Sequence, residues 1–369
     1  MVLINRHLMK FYHLSGLLLF VVFLFWLLNF LPLSSTKLIS SRSFQPTQTA
    51  SPSTVSPELL PAPTLDTIFA LDHSWVAALS SETITLVATG DVMLGRVVNL
   101  KSVQKNDFFW PWLLTAEILR SADLTLINLE SPLGENCPLT NTGMVFCAKN
   151  SHTDALASSG VDVVNLANNH LADQKLSGAA YTKDQLQATG FLTIGMDQPV
   201  FKKVKNTTFA FLGFNDIPPF IATPRVDTET ITSEIILAKP KANLVVVSFH
   251  FGEEYTETPT ARQRLLAYTA IDAGADLVIG HHPHWIQPLE IYQGKPILYS
   301  HGNFIFDQMW SDQTRLGLVS RFTYFNDQLI DLELMPVKIF DYGQPRFLTG
   351  KPKENLLQDL YRFSQEIND

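Results

Sequence analysis

The sequence predicts an α/β fold with a mixed sheet, and three observations carry that expectation. Short apolar, β-branched runs recur along the chain: TITLVATGD, ADLTLINLE, VDVVNLANNH, FAFLGFND, ANLVVVSFH, ADLVIGHH and PILYSHGNF. Helical patterns stand between them, around residues 112–120, 175–188 and 262–273, and this alternation is the signature of α/β layering. The last part, LGLVSRFTYFNDQLIDLELMPVKI, has two alternating runs about Asn326-Asp327 and reads as an antiparallel hairpin.

The chain has 369 residues, 46% of them hydrophobic, which is enough for a large core. A net charge of -8, with no Lys/Arg run beyond the N-terminus, argues against a nucleic-acid binder. Residues 17–33 read LLLFVVFLFWLLNFLPL, uncharged from Lys10 to Lys37 and long enough to cross a bilayer marginally. LPLSSTKLISS lacks a good small-residue cleavage site, so an uncleaved anchor is expected. Arg6 and Lys10 on its N-terminal flank keep that end cytoplasmic and place the remainder outside. The expected layout is a cytoplasmic tip and membrane anchor over 1–36, a Ser/Pro/Thr-rich linker over 37–70 and a folded domain over 71–369. The expected location is the cell membrane, single-pass, with the C-terminal domain extracytoplasmic. The chain has two cysteines, Cys137 and Cys147, which close a short loop and suit a disulfide in an oxidising compartment.

The polar residues fall at the ends of the strand candidates. Asp91 closes the first run, Glu130 the second, Asn168-Asn169-His170 the third, His250 a later one, and His282 with His284 the next. In open α/β sheets the C-terminal strand ends form the ligand crevice, so these residues can converge although far apart in sequence. In an extended GHHPH segment, side chains at i and i+2 share a face, so His282 and His284 point together and His281 points away. Carboxylate, amide and imidazole ligands together suit Zn²⁺, Mn²⁺ or Fe²⁺ better than Ca²⁺. Asp91, Glu130, Asn169, His250, His282 and His284 are too many for one tetrahedral ion; two divalent metal ions sharing a carboxylate would use them all. His73 and His152 have no motif around them and read as solvated.

In this order and spacing GDVMLGR, NLESPL, NLANNH, SFHFGEEY, GHHPHWIQPLE and YSHGNFIFDQ resemble the CapA / PgsA family of capsule and poly-γ-glutamate synthesis proteins, a branch of the calcineurin-like metallophosphoesterases. The resemblance covers residues 83–337 and implies a four-layer α/β/β/α sandwich with a dinuclear site at the strand ends. It implies Asp91, Glu130 and His284 on one ion and Glu130, Asn169, His250 and His282 on the other. Asp91 and His170 would be the catalytic residues, with His170 facing the scissile phosphate and His281 a bystander. Asn168, Asn303 and Glu254 would contact substrate. Two positions depart from the wider pattern. Met93 stands where related phosphoesterases have a histidine, and packs beneath the site rather than coordinating; Glu130 stands where they have aspartate. Phe251 is expected to pack, and His301 to lie at the rim or surface. Two functions are implied: a membrane-anchored, metal-dependent hydrolase acting on a phosphoester in an envelope polymer, or a non-catalytic accessory subunit for making or exporting an anionic polymer, with a vestigial metal site. The implied partners are the membrane and polymer synthase or export subunits.

Overall fold

The computed structural model describes residues 60–368, apart from 80, 81 and 198. The apolar run at 17–33 and the linker up to residue 59 lie outside the described residues. Helix α1 (Leu65–Ile68) opens with a reciprocal capping box between Thr64 and Thr67. Folded structure therefore begins ahead of residue 71, because Ile68 is buried in the core and Tyr361 donates a hydrogen bond to Asp66.

Strands β1 (Thr83–Val92), β2 (Leu124–Leu129), β3 (Leu133–Gly134), β4 (Ala148–Lys149), β5 (Val163–Asn165) and β6 (Leu192–Ile194) alternate with helices. Those helices are α2 (Arg96–Lys105), α3 (Ala116–Arg120), α4 (His152–Ser158) and α5 (Lys175–Thr189). Next come β7 (Val200–Val204), β8 (Thr207–Asn215), α6 (Thr228–Ala238), β9 (Leu244–His250), α7 (Ala261–Asp272), β10 (Leu277–His281), β11 (Ile286–Tyr292) and β12 (Lys295–His301). The chain returns through β13 (Asn303–Ile305), β14 (Leu316–Phe325), β15 (Gln328–Phe340) and β16 (Gln344–Phe347), and α8 (Lys351–Asn368) closes it. Eight strands form one sheet in the order β16-β15-β14-β1-β2-β5-β6 with β13 on β1, and six form a second in the order β11-β12-β10-β9-β8-β7. In the first sheet the parallel strands β1, β2, β5 and β6 carry antiparallel strands on one side, and in the second a parallel centre has an antiparallel strand at each edge, so both sheets are mixed. They stand face to face between helical layers, the α/β/β/α order that the resemblance implies.

Period-2 alternation sorts the side chains into layers. Leu86, Leu126 and Val163 meet Phe211, Val246 and Ile279 between the sheets. Their neighbours Val87, Ile127 and Val164 face outward onto Trp112, Leu156 and Leu186 of the first helical layer. Val245, Val247 and Val278 face outward onto Ile231, Ile235 and Leu266 of the second. Central strands covered on both faces read as continuous apolar runs in the sequence. The hairpin expected at Asn326-Asp327 joins β14 to β15, with φ of 47° and 65° at its two turn residues.

Three histidines outside the expected ligand cluster differ from expectation. His73 is buried, its Nδ1 2.9 Å from Asp331 Oδ1. Burial disfavours its charge, but Asp331 and Glu333 outweigh this and hold its pKa above the ordinary value. His301 lies inside, with Nε2 2.9 Å from Ser320 Oγ. His152 is also fully buried, its ring edge-on to Phe108 at 4.9 Å and neither nitrogen hydrogen-bonded. An isolated histidine carries no periodicity, so nothing in the local pattern announces its burial.

Burial pushes the His152 pKa down to about 3. Unfolded histidine titrates near about 6.5, so the unfolded chain binds the extra proton and stability is lost as pH falls from there towards 3. His152→Leu should lose less stability than the parent between pH 6.5 and 5, by at most about 1.4 kcal/mol per pH unit. Urea unfolding over that range checks this, and identical slopes would contradict it.

Candidate metal centre

Strand register builds the centre from two polar rows. Across the first sheet Asn303, Asp91, Asn128 and Asn165 stand side by side on β13, β1, β2 and β5. Across the second His281, His250 and Asn215 stand side by side on β10, β9 and β8. Apart from Asn303, which opens β13, each row lies at the C-terminal ends of parallel strands, and the loops that follow add Glu130, Asn169, His170, His282 and His284.

Asp91 and Glu130 are both fully buried. Asn128 Nδ2 donates to Asp91 Oδ1 at 2.9 Å and to Glu130 Oε1 at 3.0 Å. His281 Nδ1 lies 3.1 Å from Asp91 Oδ1 and His284 Nδ1 3.1 Å from Asp91 Oδ2. Burial would raise the Asp91 pKa, but the two imidazoles hold it well below the usual range. Glu130 goes the other way, because burial and then Asp91 push it well above. Glu130 stands between two imidazoles, with Oε1 3.7 Å from His250 Nδ1 and Oε2 3.9 Å from His284 Nε2. Asn169 Oδ1 touches His250 Nε2 at 2.9 Å, and the His282 ring lies 4.8 Å from that of His250. Burial, then His284, lowers the His282 pKa to about 3, leaving a neutral imidazole suited to coordination.

Two buried atoms identify what is needed here. Glu130 Oε2 and His282 Nδ1 have no hydrogen-bond partner. A buried carboxylate oxygen and a neutral imidazole nitrogen, both without partners, are satisfied by a cation. Ligand atoms of Asp91, Glu130 and His250 lie within 4.8 Å of one another, as do those of Glu254, His282 and His284. The side chains therefore fit a divalent cation held by oxygen and nitrogen.

His170 is set apart from both groups. Its Nδ1 lies 2.9 Å from Asp173 Oδ2 and its ring stacks on Phe146 at 4.1 Å. The Cys137–Cys147 disulfide is present, and Phe146 beside it donates its N–H to Asp173 Oδ2 at 2.6 Å.

His281 is not a bystander, since it is fully buried against Asp91. His282 and His284 do come together, their rings 5.8 Å apart, but not by extended alternation, because β10 ends at His281 and the next residue leaves extended geometry: φ is 99° at His282 and 57° at His284. Non-glycine residues in this region store strain that the surroundings must hold, a common feature of functional sites. Asn168 and Asn303, expected at a substrate, face inward instead. Asn168 donates to Leu129 O at 2.8 Å and accepts from the His170 N–H at 3.2 Å. Asn303 Oδ1 holds His284 Nδ1 at 2.9 Å. Glu254, also expected at a substrate, falls among the possible ligands. Met93 is buried with Phe146 and Phe306, and its Sδ accepts the Gly95 N–H at 3.1 Å. Phe251 packs on Phe249 at 5.0 Å. Asn128 and Asn165 were missed; the available signal was that Asn128 lies two residues before Glu130 at the end of the same run.

The fold and site define a class: a two-sheet α/β protein with a buried carboxylate–imidazole centre at the strand ends. The chain belongs to the bacterial capsule synthesis protein family PGA_cap, whose model matches residues 85–308. It is 33% identical over 303 residues to the capsule biosynthesis protein CapA of Bacillus anthracis, covering 74% of this chain and 72% of that one. It is 32% identical over 285 residues to the PGA biosynthesis protein CapA of Bacillus subtilis (strain 168), covering 72% of this chain and 74% of that one. Among solved structures it is similar to a phosphatase from Mycoplasma pneumoniae, with a TM-score of 0.48 and 15% identity over 71% of this chain and 95% of that one. A hypothetical protein from Thermus thermophilus matches with a TM-score of 0.47 and 16% identity over 69% of this chain and 99% of that one.

Asn128 orients both carboxylates without being placed as a ligand. Asn128→Leu should lower Mn²⁺ affinity by about 10- to 100-fold, the range for losing an outer hydrogen bond to a ligand. Titration calorimetry on a variant shown to be folded checks this, and unchanged affinity would contradict it.

Proposed function

We propose that the protein is a membrane-anchored, outward-facing component of capsule or poly-γ-glutamate biosynthesis whose centre hydrolyses a phosphoester or related bond. The observation that carries the catalytic part is the His170–Asp173 pair: a histidine outside both ligand groups, oriented by a carboxylate, at the edge of the centre. Two divalent ions, manganese, zinc or iron, would supply polarisation of a phosphoryl oxygen and a more acidic water. The chain's own residues do the rest. Asp173 accepts the Nδ1 proton of His170, so Nε2 is the position that can hold or pass a proton to a leaving group. Phe146 covers one ring face and excludes water from it. Asn128, His281 and Asn303 keep Asp91, Glu130 and His284 in place.

A second reading, an accessory subunit with a vestigial site, is supported by Met93. Its thioether is used by the Gly95 N–H, so the centre has no imidazole at that position. Anchoring rests on the apolar run at 17–33 with its basic flank, and partners for polymer synthesis or export rest on family membership alone. Protease added to intact cells should digest the domain, and full protection would overturn the topology.

Full-length protein supplied with Mn²⁺ or Zn²⁺ and a panel of phosphodiesters and phosphomonoesters separates the two readings. Hydrolysis is expected. His170→Ala should keep its metal and lose about 100- to 10,000-fold in kcat, whereas His282→Ala should lose metal and activity together. A metal-loaded parent without hydrolysis, or a fully active His170→Ala, would favour the accessory reading.

A further inference from the structure

An aromatic wall beside the centre is not used by the reading above. Its inner member, Tyr255, has its ring 6.1 Å from that of His284 and 6.4 Å from that of Trp285, and meets Trp310 edge to face at 4.8 Å. Trp310 is 61% exposed, unusual for the residue with most apolar area to bury.

The wall is built into the centre by hydrogen bonds. His284 Nδ1 meets Asn303 Oδ1 at 2.9 Å, Asn303 Nδ2 donates to Gln308 Oε1 at 3.0 Å, and Gln308 Nε2 donates to the Tyr255 hydroxyl at 3.1 Å. The Tyr255 N–H donates to Pro283 O at 2.8 Å, between the two left-handed histidines, and Tyr255 itself has φ of 61°. A strained tyrosine bonded through its backbone to Pro283, between two ligand candidates, and linked through its hydroxyl, Gln308 and Asn303 to His284 holds the wall in fixed register with the centre. Next to it, Trp285 Nε1 is a buried donor with no acceptor.

Charge indicates the occupant. The segment FGEEYTET carries Glu253, Glu254 and Glu257 and no lysine or arginine. Arg96, whose charge reaches Tyr255, is already paired with Asp307. A polyanion laid along this wall would meet like charge. A neutral sugar ring would not: its C–H face stacks on an indole, and its hydroxyls donate to glutamate carboxylates. We propose that Tyr255, Trp285 and Trp310 form a subsite for a neutral sugar ring of the substrate. This deepens the function proposed above and rests on it for the position of the bond cleaved, while the binding itself does not.

The test is calorimetry and tryptophan fluorescence on full-length, chelator-treated protein, with neutral tetrasaccharides of glucose and of N-acetylglucosamine and a γ-linked glutamate tetramer as probes. A tetrasaccharide should bind and the glutamate tetramer should not. Trp310→Ala should weaken binding about tenfold, and Trp310→Phe should restore most of it. Metal content measured before chelation should be the same in all three proteins. Absence of saccharide binding, tighter binding of the glutamate tetramer, or indifference to Trp310→Ala would each overturn the proposal. Sugar binding without phosphoester hydrolysis would count against catalysis alone; hydrolysis without sugar binding would count against the subsite alone.

Discussion

Asp91 and Glu130 are buried side by side, and much of the structure around the strand ends answers that constraint. Two carboxylates out of water cost several kcal/mol each unless paired and hydrogen-bonded. One amide, Asn128, bridges them and is itself held by Asn165 at 3.1 Å. His281 and His284 support the Asp91 charge, and the unpartnered oxygen of Glu130 is left for a cation. On this account a divalent metal completes the buried charge balance of the fold.

The two-sheet architecture is what allows so many polar groups to meet so deep in the molecule. Parallel strands in each sheet end at the same level, so a single row of side chains from each supplies the floor of the centre. The loops that leave those rows carry Glu130, Asn169, His282 and His284, and left-handed backbone occurs there at His282, His284 and Tyr255. The disulfide fastens the segment that ends at Phe146, so a covalent link in an outer loop sets the ring against which His170 rests.

Much of this was legible in the sequence because chemistry and periodicity coincide there. Apolar runs mark the strands, and a polar residue at each C-terminal end marks the crevice, so Asp91, Glu130, Asn169, His250, His282 and His284 could be assembled without coordinates. The remainder was hidden for physical reasons. Asn128 reads as an ordinary strand residue, its one local signal being the two-residue spacing to Glu130, since the bridge to Asp91 is made across strands. His281 was misplaced because an alternation rule assumes extended backbone and the chain turns left-handed at His282. His73, His152 and His301 are buried through partners or packing far away in sequence, and Glu254 lies on a loop whose return to the centre no periodicity records. Helix α8 went unread although its Leu357 and Leu360 are buried against the inter-sheet core.

The central claim, that the Asp91–Glu130 pair is completed by a divalent cation, is tested most directly by metal analysis joined to thermal unfolding of the same preparation. The account predicts bound manganese, zinc or iron in the purified protein, a fall in Tm on chelation, and a Tm that climbs with added metal as binding linkage requires. Protein that is metal-free as purified, with a Tm indifferent to both chelator and added metal, would contradict it.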